Sequence, residues 1–365
     1  MAKSRTEYSQ KKHWARRNKT AGLLAFLFCL FLPPSAHAQQ ARHETLQEKY
    51  AARAQNVEDK NYVSFSFEND SIGTGTDRFY SSGERLSWFN VNTPVPPVID
   101  RLADIIPTFD LNETTSTLFT LGQNIYTPED IRIAAPQNND HPWAAWLYGS
   151  VGLATVTDNH IDELEVTLGL VGPEAMGEQT QKFIHRHVTN SAIPKGWAHQ
   201  LDFEPGLILS WARRWPQALA YEQNNLRLAL EPNINLSLGN IYTYAGSGVT
   251  LTLGPHQNAL QDRPPRIRPA IPGTGFFDVP DKGWSWHLFA SADGRAIARN
   301  IFLDGNSFSD GPGVSKKHLV ADASAGIALT FGDYRLSYAL NFRSKEFDGQ
   351  DDESVFGSLT LTTRF

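Results

Sequence analysis

The feature that most constrains the fold is a two-residue alternation of apolar and polar side chains that recurs along the chain. In the segment 226–238, leucine or isoleucine occupies every second position from Leu226 to Leu230 and again from Ile234 to Leu238. The segments 163–170 and 335–343 have the same pattern. Because successive side chains of a β-strand point to opposite faces, this spacing predicts strands with one apolar and one polar face.

Two architectures produce this pattern: a soluble sandwich with one packed face per sheet, and a membrane barrel with apolar side chains outside and polar side chains inside. The run 221–238 is long for a sandwich strand, which favours the barrel. Aromatic residues crowd the predicted strand ends, as in interfacial girdles; they include Trp88, Trp146, Tyr242, Tyr244 and Trp284. The chain ends in the alternating stretch SLTLTTRF, similar to the last strand of bacterial outer-membrane barrels, whose assembly machinery recognises a terminal aromatic such as Phe365.

We therefore predict an all-β protein, a twelve-stranded antiparallel outer-membrane β-barrel with a short helix in an outer loop near the barrel mouth. The candidate strands cover residues 61–69, 79–91, 115–124, 142–157, 160–172, 199–215, 221–238, 242–254, 284–298, 318–330, 333–346 and 354–365. With both chain ends on the periplasmic side, the loops after odd-numbered strands face outward. The long segment 255–283 then falls on the periplasmic side, where it is either a flap or a sign that the strand count is wrong nearby.

The N-terminal residues have the composition of an export signal. Seven Lys or Arg residues precede the apolar run 21–32, and AHA at 36–38 matches a cleavage site, so residues 1–38 are predicted to be a signal peptide. Residues 39–60 are a polar lead-in, read as a short helix or a disordered segment, and residues 61–365 form the barrel. The only cysteine, Cys29, lies within the signal, which leaves no disulfide. Residues 39–365 carry 26 basic and 38 acidic residues, a net charge of −12 that argues against nucleic acid as a partner.

Four polar segments converge on the predicted outer rim. Asn69 and Asp70 end the first strand, Ser81 begins the second, and Arg132 follows the third. After the fifth strand, a helix is predicted from Glu174 to about Val188. This helix, which carries His185, is able to lie across the barrel mouth.

These residues carry several possible chemistries. A histidine such as His185 suits general-base catalysis, although most histidines are surface decoration. Asp70 is a hard oxygen ligand of the kind Ca²⁺ uses, but an acid in a polar turn is equally consistent with the pattern. Ser81 and Ser82 are potential nucleophiles, and no G-x-S-x-G motif is present.

Four stretches resemble a known family. FENDSIGTGTDRFYSSGERLSW, GQNIYTP, GLVGPEAMGEQTQKFIHRHV and SLTLTTRF are similar to the lipid A 3′-O-deacylase family of outer-membrane barrels. The resemblance extends over residues 61–365 and is weakest in 255–320. It implies a twelve-stranded barrel that removes the 3′-acyloxyacyl group of lipid A by Ca²⁺-dependent ester hydrolysis at the outer leaflet of the outer membrane.

The resemblance also implies residue roles. Asp70 is the metal ligand, His185 is the catalytic base that activates water, and Asn69 and Ser81 are further catalytic residues. Arg132 lies in the loop that offers basic residues to the lipid A phosphate. One position departs from the pattern: the family has an acid six residues after the histidine, and Ser191 stands there. Two alternatives remain open, a non-catalytic structural or channel barrel and a phospholipase with Ser81 as nucleophile.

Overall fold

The computed structural model describes residues 45–56, 61–73, 79–91, 109, 111–189, 191–216, 218–256, 263–264, 266–267, 269, 273–278 and 283–365. The predicted signal peptide, 1–38, lies outside these residues, as do residues 39–44 and 57–60 of the predicted lead-in. No helix in the described ranges is both long and apolar enough to cross a membrane.

The strands form one closed antiparallel barrel, and all but two of them pair with both of their neighbours in the sequence. They are β1 (Asn61–Asn69), β2 (Phe79–Asn90), β3 (Ser116–Thr127), β4 (Ala144–Val156), β5 (Ile161–Val171), β6 (Glu204–Arg214), β7 (Leu219–Gln223), β8 (Leu226–Gly239), β9 (Tyr242–Pro255), β10 (Trp284–Asn300), β11 (Leu319–Phe331), β12 (Tyr334–Arg343) and β13 (Ser354–Arg364). β1 pairs with β13, and β6 pairs with β8, which closes the ring.

The short strand β7 is an extension of the wall position held by β6. Both pair with β8, β6 along residues 233–239 and β7 along residues 226–230, so the wall has the twelve strands that the sequence predicted. The prediction of one strand over 221–238 was wrong in detail, because a two-residue turn at Asn224 and Asn225 separates β7 from β8. Both residues have positive φ angles, 50° and 64°, which a tight hairpin of this kind requires and asparagine tolerates.

Alternation along β1 separates the lipid-facing side from the lumen. Phe65 is 49 % exposed, whereas Ser64 and Ser66 are buried inside. Several aromatic residues that the sequence assigned to membrane girdles instead fill the lumen, among them Trp146, Tyr242 and Tyr244, which pack together in one buried cluster. A girdle position and a luminal one differ by a single residue of register, which composition at a strand end does not reveal.

The turns β4–β5, β7–β8 and β11–β12 at one end of the barrel are short, and the loops that follow β3, β5 and β10 at the other end are long, which assigns the former end to the periplasm. The described helices are short: Leu46–Asn56, Asp70–Gly73, Gly177–Ile184 and Ile301–Asp304, with single 3₁₀ turns at Pro173–Ala175 and Trp197–His199. The helix Leu46–Asn56 begins with a capping box, since the backbone amide of Thr45 donates to Glu48 and that of Glu48 donates to Thr45. It packs Leu46 and Tyr50 at the periplasmic end.

The described residues between β9 and β10 lie inside the barrel, where neither alternative predicted for 255–283 had placed them. We call these residues, 263–264, 266–267, 269 and 273–278, the lumen segment. Ile267 belongs to the central luminal cluster, and Phe276 and Phe277 pack against Tyr62 near the periplasmic end. The lumen of the barrel is therefore filled by its own chain.

Candidate functional site

The outer ends of β1, β2 and β3 carry polar residues on the face that elsewhere meets lipid. Asn69 lies opposite Ser82, and Glu84 lies opposite Phe67 on one side and Gln123 on the other. The register places these four polar residues on the same outward face as apolar residues such as Leu86, which is 48 % exposed. Asn69 and Ser82 are nevertheless buried, at 5 % and 4 % exposed. The outer loops therefore cover this part of the wall.

The cover over β3 and β4 is the loop that follows β5, with its helix Gly177–Ile184, here called the loop helix. The side-chain amide of Gln123 donates to the backbone carbonyl of Ala175, just before the helix begins. Ile125 and Ala145, both on the outward face, form a buried cluster with Ala175 and Trp197 of this loop. The helix thus lies on the outside of the wall near the mouth, and the expectation that it lies across the mouth was wrong.

Close packing of the loop helix depends on Gly177. A Cβ atom at Gly177 would stand 2.4 Å from the Cβ of Ala145 and 2.7 Å from the ring of Trp197. The indole nitrogen of Trp197 donates to the side-chain oxygen of Gln181 at 2.9 Å, which ties the ring to the helix. Because Gly177 has no side chain, the backbone of the helix can lie directly on the strands.

His185 follows the last residue of the loop helix and is 4 % exposed. Residues His185–Thr189 form a π-turn, and the amide of Ser191 donates to the carbonyl of His185 at 3.0 Å. The Nδ1 atom of His185 lies 2.6 Å from the carbonyl oxygen of Ala192. A carbonyl only accepts hydrogen bonds, so Nδ1 carries the proton and Nε2 is the unprotonated nitrogen of the neutral ring. This is the tautomer that a general base acting through Nε2 requires.

The other predicted site residues lie on the wall. Asp70 begins the one-turn helix that follows β1 and is buried, next to Asn69. Ser81 lies in β2 where its pairing with β3 shifts register, between Tyr80 and Ser82, and its side chain is outside the described part. The fold brings Asn69, Asp70 and the start of β2 together, and it places His185 on the loop that covers the neighbouring strand β3.

Arg132 lies in the loop after β3 and is largely exposed. Its guanidinium binds the carboxylate of Asp130 through two hydrogen bonds of 2.9 Å. These hydrogen bonds lower the pKa of Asp130 to about 2. The loop joins the one that carries His185, because the amide of Lys195 donates to the carbonyl of Ile131. A phosphate at Arg132 would have to share the guanidinium with Asp130.

Glu84 is a candidate site residue that the sequence reasoning missed. Both of its carboxylate oxygens are buried without a hydrogen-bond partner in the described residues, although the Ser82 hydroxyl lies nearby on the same strand. A carboxylate in this setting is costly, and ionisable residues on a membrane-facing wall mark functional sites. The signal was present in the sequence, since Glu84 is in phase with the apolar Leu86 and Trp88.

The oxygen atoms at this site fit a hard cation better than a transition metal. Within the described ranges, no three His, Cys, Asp or Glu side chains gather into a metal-binding group. Asp70 and the unsatisfied carboxylate of Glu84 are hard donors, and the amide and hydroxyl of Asn69 and Ser82 add neutral oxygens of the kind Ca²⁺ accepts together with carbonyls and water. Ca²⁺ is compatible with this donor set.

Comparison with known proteins identifies relatives of the whole barrel. No curated protein matches the chain. Among solved structures, LpxR from Salmonella typhimurium aligns with a TM-score of 0.69 and 19 % identity, covering 83 % of this chain and all of that one. The β domain of the Bordetella autotransporter BrkA aligns with a TM-score of 0.40 and 10 % identity, covering 84 % and 98 %.

The barrel resembles LpxR in fold, and the protein is an outer-membrane β-barrel. The sequence model of the family described as "Outer membrane protein LpxR" matches residues 23–365, nearly the whole chain. That match confirms the family predicted from the four sequence stretches. This chain belongs to the LpxR family of outer membrane proteins.

Proposed function

We propose that this protein is a lipid A deacylase of the outer membrane, which hydrolyses the ester that links the 3′-acyloxyacyl group to lipid A. The observation that carries the proposal is the orientation of His185. Its Nδ1–H is held by the Ala192 carbonyl, it is buried, and it lies on a loop that covers the lipid-facing wall. A base in this position serves a substrate that lies in the membrane.

In the proposed mechanism, Nε2 of His185 takes a proton from water as the water oxygen attacks the ester carbonyl carbon. The bond from that carbon to the 3′-oxygen of the sugar then breaks, and His185 returns the proton to this oxygen. The products are a free acyloxyacyl carboxylic acid and a 3′-hydroxyl. The Ala192 carbonyl keeps the imidazole in one tautomer and stabilises its protonated form, the orienting role that a carboxylate performs in other hydrolases.

The wall residues have complementary roles in this proposal. Asn69 orients the ester, and its side-chain amide donates to the negative charge that develops on the carbonyl oxygen. We propose that Asp70 and Glu84 hold Ca²⁺, which when bound supplies positive charge to that oxygen. Glu84 then provides a second acid in a chain where Ser191 occupies the position of the family's acid. Ser81 and Arg132 are proposed to contact the lipid A headgroup, Arg132 through a phosphate.

Mass spectrometry of lipid A from cells that express the protein tests the proposal. Wild-type protein should convert lipid A to a species lacking the 3′-acyloxyacyl group, and EDTA should reduce the conversion. His185→Asn should lower the rate at least about a hundredfold while the barrel still inserts, because a positioned base contributes on that scale. Unchanged lipid A with folded wild-type protein contradicts the substrate assignment.

The proposed cation site has a separate test that needs no turnover. Tb³⁺ luminescence, sensitised by nearby tryptophan, measures binding to the purified barrel in detergent, with Ca²⁺ as competitor. Glu84→Gln and Asp70→Asn should each weaken binding at least tenfold, whereas Glu174→Gln, an exposed acid of the outer loop, should leave it unchanged. Equal binding by Glu84→Gln and wild type removes Glu84 from the proposed ligand set.

A further inference from the structure

The lumen segment is held in the barrel by side chains of the wall that donate to its carbonyl oxygens. The guanidinium of Arg85 donates to the carbonyl of Arg266, that of Arg295 to Pro269, and that of Arg335 to Phe276, at 2.7, 3.2 and 3.2 Å. Tyr62 and Tyr244 make similar bonds to Phe277 and Pro269. Proline residues lack an amide hydrogen, so a proline-rich segment presents mainly acceptors. The inward arginines supply the hydrogen-bond donors that these carbonyl oxygens need.

The segment reaches from the periplasmic end nearly to the outer end of the barrel. β9 ends and β10 begins at the periplasmic end, and Phe276 and Phe277 pack there against Tyr62. The other extreme of the segment touches Glu68, near the outer end of β1. Glu68 lies six positions after Tyr62 in β1, a length of about 20 Å at ~3.3 Å per residue. The lumen segment therefore spans most of the wall.

The contact at Glu68 consists of three hydrogen bonds to one carboxylate oxygen. One carboxylate oxygen of Glu68 accepts from Nε of Arg266 at 3.2 Å, from the amide of Ile267 at 3.3 Å and from the hydroxyl of Ser358 at 3.4 Å. Glu68 is 1 % exposed. A buried carboxylate with a charged partner and two further donors is strongly held, because releasing it would leave the charge unpaired.

Two further contacts limit the movement of Arg266. Its guanidinium lies 5.9 Å from the centre of the Phe356 ring, over the face that cations prefer. Its carbonyl accepts from Arg85, whose other nitrogen donates to the hydroxyl of Thr120 on β3. These contacts therefore join the lumen segment to β1, β2, β3 and β13.

Glu68 immediately precedes Asn69 and Asp70. Adjacent Cα atoms are fixed about 3.8 Å apart, so the position of the Glu68 backbone determines where the next two residues begin. Glu68 points into the lumen, and Asn69 points out to the covered wall. The contact of Glu68 inside the lumen therefore influences the position of Asn69 on the outer face of the same strand end.

We infer that Arg266 and Glu68 are positioning residues for the catalytic site: the lumen segment fixes the end of β1 from inside, and this fixes Asn69 and Asp70 outside. The inference rests on the proposed deacylase function for its kinetic consequence, but the mechanical link is independent of that function. It assigns a role to a segment that neither composition nor alternation explained.

The kinetic test compares substitutions within the lumen segment of the full-length protein. Arg266→Ala should lower kcat tenfold to a hundredfold with KM changed less than about threefold, the scale expected for misplacing a catalytic group by about 1 Å. Arg266→Lys should recover part of the loss. Arg263→Ala is the control: Arg263 lies in the same segment and donates to the carbonyl of Glu231 on β8, so kcat should stay within twofold. Equal losses for both alanine variants would overturn the inference.

Hydrogen–deuterium exchange supplies a readout that does not depend on activity. In Arg266→Ala, peptides that cover residues 67–73 should exchange at least tenfold faster, whereas peptides from β11 should be unchanged. Unaltered exchange at 67–73 refutes the link even if activity falls. Faster exchange in a protein without deacylase activity leaves the link intact and refutes the proposed function instead.

A second variant keeps the test valid if Arg266→Ala does not fold. The pair Arg266→Met with Glu68→Gln removes both charges together, so neither group is left buried as an unpaired ion. The same two readouts apply, with folding judged by the shift in gel mobility between heated and unheated samples. Wild-type kinetics and exchange in this folded double variant would overturn the inference.

Discussion

Substitution of Gly177 by alanine tests whether the loop helix must lie directly on the barrel wall. The added Cβ would stand 2.4 Å from the Cβ of Ala145 and 2.7 Å from the ring of Trp197. Carbon atoms in contact are normally about 3.5–4.0 Å apart, so the helix has to lift by more than about 1 Å. Ala145 is part of β4 and is held by pairing with β3 on one side, which leaves the helix as the element that moves.

The consequence should be a loss of activity without loss of the barrel. His185 lies eight residues after Gly177, directly after the last residue of the loop helix. A displacement of about 1 Å at a catalytic group costs up to ~100-fold in rate. The assay is release of the acyloxyacyl product from lipid A in detergent micelles by purified protein. Gel mobility of unheated samples reports the folded barrel in the same preparations.

Two matched variants make the reasoning refutable. Gly294→Ala, on β10, adds a Cβ that meets no atom within 4 Å and should leave the rate unchanged. Combining Gly177→Ala with Ala145→Gly removes the closest clash and should restore part of the rate. Wild-type activity for Gly177→Ala, or no recovery in the double variant, shows that the packing of the helix on β4 does not control the site.

Three further predictions follow from the described contacts. Asp322 accepts from the buried guanidinium of Arg343 at 2.8 Å and also binds Arg295, so Asp322→Ala should lower the free energy of unfolding by about 3–5 kcal/mol in denaturant titrations. Burial lowers the pKa of His141 to about 4, so below the ordinary histidine pKa near 6.5 the unfolded chain binds more protons than the folded one. The free energy of unfolding should therefore fall as the pH is lowered from about 6.5 to 4, and His141→Phe should remove that dependence in unfolding measured at several pH values. Gly149 leaves a groove on the outward wall below Gln123, with its Cβ position 3.6 Å from the nearest atom; Gly149→Leu should fold normally and lower kcat/KM for long acyl chains more than for short ones in a chain-length series.

The barrel could be predicted from the sequence because its information is local. Alternation identifies a strand from its own residues, and ten predicted strands begin within three residues of the observed ones; the exceptions are the strands predicted from 199 and 221. The error at 221–238 arose because Asn224 and Asn225 continue a polar stretch without a glycine or proline, so only their positive φ angles reveal the turn. Register within a strand is set by which face meets lipid, and this explains why Trp146 was assigned to the wrong side.

The candidate site was predictable only in part, because much of its information is not local in the sequence. Asn69 and Asp70 stand at a strand end, where topology alone brings them to the outer rim. Glu68 and Glu84 lie inside strands, and their meaning depends on partners about 200 residues away or on a covering loop. The lumen segment has no periodicity, and its contacts are almost all distant in sequence; its unusual length was the one available signal of a function.

The two faces of β1 now explain why the proposed substrate has to arrive from the membrane. On the inner face, Glu68 is covered by Arg266 and Ile267, so the lumen offers no route to the strand end. On the outer face, Asn69 lies beneath loops, and the wall below Glu84 and Gln123 is apolar, with exposed Leu86 and Leu121. An amphiphile whose acyl chains lie along that wall presents its ester at the level where hydrocarbon gives way to polar residues. A water-soluble ester has no such anchor, and the arrangement therefore favours a lipid substrate over a soluble one.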